Sequence, residues 1–166
     1  MKKKDLVIGV IILAILALAI YFWQAKKPKL SVPEETTPTS TEEMYETKFN
    51  VTIPDDVEKA QLDDVVGGTS SALAIRKYDK GIFMHSVLAD LPEPEGKDFY
   101  EGWLVRGKSG DEDFDFISTG KMKVAKGGWV LNFDSSSDYS DYEGVVITLE
   151  KVFDKTPEKH ILEGSF

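Results

Sequence analysis

Seventeen of the eighteen residues from Leu6 to Trp23 are apolar, and the run is interrupted only by Gly9. At 1.5 Å per residue such a run makes a helix of about 27 Å, close to the thickness of a hydrocarbon core. Tyr21, Phe22 and Trp23 then fall where aromatic rings prefer the headgroup level, and Lys26, Lys27 and Lys29 follow as interfacial anchors. A cleaved secretory signal would need small residues at its cleavage site, after a shorter apolar stretch. Ala17-Leu18-Ala19 lies inside the run, and Ala25 has Trp23 two positions before it. The segment therefore reads as an uncleaved anchor: residues 1–5 form a tail, and residues 6–23 form a transmembrane helix in contact with the lipid bilayer.

Lysines flank both ends of the run almost equally, so the positive-inside count does not choose an orientation. Charge farther along does. Residues 1–29 hold six lysines and one aspartate, net +5, so a chain total of -9 leaves -14 for residues 30–166. So acidic a body is repelled by nucleic acid and by an anionic bilayer, which excludes nucleic acid as a partner. A cytoplasmic N-terminus, a single pass through the plasma membrane and an extracytoplasmic C-terminal body follow as the expected topology. The absence of cysteine excludes disulfides, iron–sulfur clusters, thiolate zinc sites and cysteine nucleophiles.

Residues 24–47 read as an extended stalk. Its core, PKLSVPEETTPTSTEEMYET, combines three prolines, seven Ser/Thr and five glutamates with too few apolar residues to bury. Residues 48–166 are of single-domain size and carry strand-like alternation. Phe49, Val51 and Ile53 alternate with polar neighbours, as do Phe114 and Phe116. Trp129, Leu131 and Phe133 alternate with Val130 and Asn132. Ser71–Tyr78 and Ile82–Leu91 flank Asp79-Lys80-Gly81, a short hairpin loop. Phe99–Arg106 and Gly144–Phe153 are apolar on both faces in places, and Met122–Val124 continues a strand past Gly120. About seven or eight strands predict an all-β domain, an antiparallel β-sandwich, with Pro54–Leu62 as the one stretch of helical promise.

Leu91, Pro92, Gly96, Tyr100, Trp103 and Leu104 make an "LP…G…Y..WL" series, and Gly120, Glu150 and Pro157 follow at wider spacing. In that order the residues resemble the extracytoplasmic C-terminal domain of the anti-sigma-K factor family, over about residues 65–164. The resemblance implies an outer β domain that takes part in regulated proteolysis releasing a sigma factor. The family's cytoplasmic zinc-associated domain has no counterpart in the five residues before the span, so direct sigma-factor binding is not expected of this chain. The nine motif positions are expected to be structural.

Candidate chemistry is sparse. Trp103 and Trp129 could form an aromatic platform, although alternating strand tryptophans usually belong to a core. Two acidic patches, Asp111, Asp113 and Asp115 in one and Asp134, Asp138, Asp141 and Glu143 in the other, suggest calcium as a weak candidate. The first lacks the glycine and glutamate of an EF-hand loop. His85 lies on the Phe83/Val87 side of its strand, and His160 stands far from it. No nucleophile elbow, phosphate loop or zinc-protease motif occurs. No cofactor and no enzymatic activity are expected. The chain reads as a display module that contacts another envelope protein, with a cell-surface small-ligand or carbohydrate-binding domain as the alternative.

Overall fold

A computed structural model describes residues 40–166. The anchor expected at residues 6–23 and the first part of the stalk lie outside them. Among the described residues no helix is long and apolar enough to cross a membrane.

The first element, α1 (Thr41–Phe49), overturns the extended reading of residues 41–47. Ser40 caps it, its hydroxyl accepting the Glu43 N–H at 3.2 Å, while Glu42 and Glu43 sit in the positive first turn. Tyr45 and Phe49, four apart, stack at 6.0 Å and supply its whole buried face. Two aromatics are too few to show a helical period, so the helix depends on docking. Phe49 is thus the last helical residue and not the first of a strand. Asn50 ends the helix in the left-handed region, φ 55.

Nine strands follow: β1 (Glu58–Asp64), β2 (Ser71–Asp79), β3 (Ile82–Asp90), β4 (Phe99–Arg106), β5 (Asp115–Lys121), β6 (Lys123–Ala125), β7 (Gly128–Ser135), β8 (Gly144–Glu150) and β9 (Lys159–Ser165). The expectation of an antiparallel β domain holds. The helical promise of Pro54–Leu62 does not: Ala60 and Leu62 face the core at a strand period, and β1 pairs with both β2 and β9. Between β2 and β3, Lys80 and Gly81 both have positive φ, 51 and 82, the two-residue turn whose twist matches that of its strands.

The strands bond into one sheet, in the order β5-β4-β8-β9-β1-β2-β3-β7-β6, and not into two separately bonded sheets. The reason lies at Gly120 and Met122. Gly120 bends the chain at φ 104, and the Met122 N–H bonds the Tyr100 carbonyl at 2.9 Å. The nearly continuous strand 115–125 therefore pairs with β4 along its first part and with β7 along its last. One bent strand draws the two ends of the sheet together. Inside lies a continuous core built from Leu62, Phe83, Val87, Leu104, Leu131, Val145, Ile147 and Leu162 with their neighbours.

Both outer faces also carry apolar side chains. On β2, β3 and β7 these are Leu73, Ile75, Leu88 and Val130, and Tyr45, Phe49 and Ile53 cover them. Full burial of such side chains is worth about 1.5–3 kcal/mol each, enough to hold a nine-residue helix that is marginal alone. The Tyr45 hydroxyl fixes the docking by donating to Ser71 Oγ at 2.8 Å.

Candidate functional site: an aromatic groove on the outer sheet face

Along β4, Tyr100 and Leu104 point into the core, so the alternate residues Phe99, Glu101, Trp103 and Val105 point outward. Trp103 is nevertheless only 2% exposed. Phe116 of β5 meets its ring edge-on at 5.9 Å, and Phe114 follows Phe116 at 5.8 Å. The indole N–H donates to Thr148 Oγ1 at 2.8 Å, which fixes the ring plane. Around it lies a groove of about 330 Å3 whose walls include Val105, Phe114, Val146 and Pro157. His160 and Glu163 of β9 also line it, with His160 Nδ1 2.6 Å from Glu163 Oε1. Phe114 remains 37% exposed there. Among the described residues no helix covers this face.

Beside the groove lie two buried carboxylates. Glu101 and Glu150 are 0% and 1% exposed. Glu101 accepts a short hydrogen bond from the Ser118 hydroxyl through Oε1, while its Oε2 has no partner. Burial pushes the Glu101 carboxyl above its ordinary range, and the Glu150 charge adds to this against the Ser118 bond and Lys121. Glu150 Oε1 accepts the Glu158 N–H at 2.9 Å.

The motif positions separate into two groups. Leu91 and Tyr100 close one end of the core: the Leu91 carbonyl accepts from Trp129 Nε1 at 3.2 Å and the Pro92 carbonyl from the Tyr100 hydroxyl at 3.1 Å. Leu104 is fully buried, Gly96 turns a loop at φ 64, and Gly120 makes the bend. Trp103 and Pro157 instead line one groove on the outer face, and Glu150 holds the Glu158 N–H next to Pro157. The two tryptophans do not form a platform, because Trp129 packs against the main core, edge-on to Tyr100 at 5.3 Å.

The acidic patches come together only in part. Asp111, Asp113, Asp141 and Glu143 line a shallow concavity of about 600 Å3, which Asp134 and Asp138 do not reach, and Arg106 stands among them. Arg106 holds Asp141 at 2.8 Å and lies 3.7 Å from Asp115. Asp115 accepts the Tyr142 hydroxyl at 2.5 Å, a bond that lowers its own pKa and pushes the phenol up to about 12. Asp138 is spent on the Ser140 N–H and hydroxyl, and Asp134 sits on β7 opposite Met84. Among the described residues no three His, Asp or Glu side chains are placed to hold a metal ion.

His85 is buried within the core end, its Nδ1 3.1 Å from the Ile75 carbonyl, its Nε2 unpartnered and its ring 6.0 Å from Phe166. Sequence reasoning missed Glu101, since a lone carboxylate on a strand reads as solvent-facing. The one available signal was that β4 carries Phe99, Trp103 and Val105 on the same face. No protein-family model, curated protein or solved structure matches this chain, so the groove is argued from its own geometry.

Proposed function

We propose that the chain is a single-pass membrane protein whose extracytoplasmic β domain acts by contact with another envelope protein, without covalent chemistry of its own. In this reading residues 6–23 span the bilayer, and the curled sheet serves as a sandwich displayed beyond it. One observation carries the contact reading: among the described residues no helix covers the groove over Trp103, where Phe114 stays 37% exposed, whereas the apolar face opposite is covered by α1. An exposed apolar patch with a polar rim is what a protein contact uses. The kinship with the outer domains of anti-sigma-K factors, and with the sensing of envelope state, rests on the sequence motif alone.

The second reading, a small-ligand or carbohydrate site, draws on the groove's 330 Å3, near the lower bound for ligand pockets. Photo-crosslinking separates the two. A benzoylphenylalanine placed at Phe114 in the full chain, in its own membranes, should yield a protein adduct of one size. The same group at Val124, exposed on β6 and outside the groove, should yield none. Equal yields at the two positions refute the contact reading. A rise in melting temperature with soluble oligosaccharide, without adducts, supports the second.

A further inference from the structure

We propose that Lys151–Glu158 is a strap over the groove operated by a proton on Glu101: it lies down while that carboxyl is protonated and lifts as it ionises. The inference rests on the groove being the contact site and concerns its regulation.

The strap follows β4 residue by residue. Phe153 meets the Phe99 ring at 6.2 Å, and Lys121 Nζ lies 3.5 Å and 4.6 Å from those two ring centres. Asp154 is within electrostatic reach of Glu101. Lys155 borders Trp103 and Ser118, and Pro157 forms a wall of the groove. The hydrogen bonds that hold the strap down lie at its neck, and lifting opens them. Glu150 accepts the Glu158 N–H, and Glu158 in turn accepts the N–H groups of Lys151 at 3.1 Å and Val152 at 3.3 Å. Its middle buries little, since Val152 and Phe153 are 58% and 59% exposed. Lifting it therefore costs few apolar contacts.

Underneath lies the Glu101 oxygen that lacks a partner. The charged and polar groups facing this carboxyl are Ser118 and Lys121 from β5, Glu150 from β8 and Asp154 from the strap, with Lys155 of the strap beside Ser118. Three carboxylates thus gather about Lys121, with Lys155 at the edge. An ionised Glu101 in that position is unsolvated and repelled, whereas a protonated one is tolerated. The closed strap raises the proton affinity of Glu101, so the proton in turn favours the closed strap. As pH climbs past the ordinary carboxyl range, ionisation favours the lifted, hydrated arrangement. A single proton changes the closed-to-open ratio by at most about tenfold per pH unit. Lifting takes Lys155 and Pro157 away from Trp103 and widens the floor of the groove.

Hydrogen exchange of the full chain in non-denaturing micelles, from pH 5 to pH 8 and corrected for intrinsic rates, tests this without a partner. Protection of the Lys151, Val152 and Glu158 amides should fall as pH rises, by up to about tenfold per unit, while the β2–β3 ladder stays constant. Glu101→Gln should keep the low-pH protection throughout. Asp154→Asn, an exposed change, removes the strap's own repulsion of an ionised Glu101, so it should make the fall smaller, and it serves if the first variant does not fold. Constant strap protection in the unmodified chain overturns the proposal, as does a Glu101→Gln variant that follows the unmodified course. Because no partner is present, this result stands apart from the crosslinking result at Phe114.

Discussion

Acid should destabilise this domain through one histidine. His85 is 1% exposed, and burial holds its imidazole at about 4 against an ordinary 6.5, with the Arg76 charge adding to burial and the Ile75 carbonyl opposing it. The folded protein keeps the ring neutral while the unfolded chain binds a proton below 6.5. The stabilisation is thus full above the unfolded value and is lost as pH falls through the folded one. Each tenfold in proton affinity is worth about 1.4 kcal/mol, so the interval from 6.5 to about 4 is worth about 3 kcal/mol. Urea unfolding of the full chain in micelles at pH 7, 5.5 and 4, beside His85→Leu, reads the difference. Asp115 and Asp138 contribute acid sensitivity of the same sign, but they do so in both proteins and cancel. The unmodified chain should lose about 3 kcal/mol more than the variant between pH 7 and pH 4. Parallel losses within about 0.5 kcal/mol would refute the assignment of a neutral, buried imidazole.

Two further outcomes bear on the backbone. At Gly102 a Cβ would stand 2.6 Å from Leu131 Cδ1 and 2.7 Å from Thr119 Oγ1, so Gly102→Ala should cost about 1–2 kcal/mol in urea unfolding, and an unchanged midpoint would show that the core is looser there. Lys80 occupies the left-handed region at φ 51, so Lys80→Asn should stabilise by about 0.5–1 kcal/mol, which calorimetry would contradict by recording no rise in melting temperature.

The β2–β3 hairpin was legible in the sequence because its turn chemistry and its alternation agree, and the alternation of Trp129, Leu131 and Phe133 marks β7 for the same reason. β9 was not. A register shift between Ile147 and Thr148 of β8 lets the consecutive residues Ile161 and Leu162 both be buried, which erases the period of two. The helix α1 was hidden in a polar, proline-rich context, because what stabilises it is a sheet face far along the chain. Sheet closure was equally invisible. Nothing in Gly120-Lys121-Met122 says that one strand will serve two neighbours, since that depends on where Tyr100 and Val130 arrive in space. Of the outer-face site, the motif residues Trp103, Glu150 and Pro157 were singled out. That they gather on the outer face that also carries Glu101 required the fold.

The placement of β1 between β9 and β2 has a consequence for how the domain comes into being. Leu62 is opposite Gly164, a contact that spans nearly the whole domain. The earliest strand to leave the ribosome can pair with β2 at once, yet its other edge stays open until the ninth strand arrives. For that interval the nascent chain presents an unpaired edge beside a half-built interior, the condition under which chains pair with the wrong neighbour. Synthesis that pauses or stops before Lys159 leaves the sheet without the strand that joins β8 to β1. Completion is then a single late event, and quality control has a simple state to recognise: a sheet with a missing member at its centre.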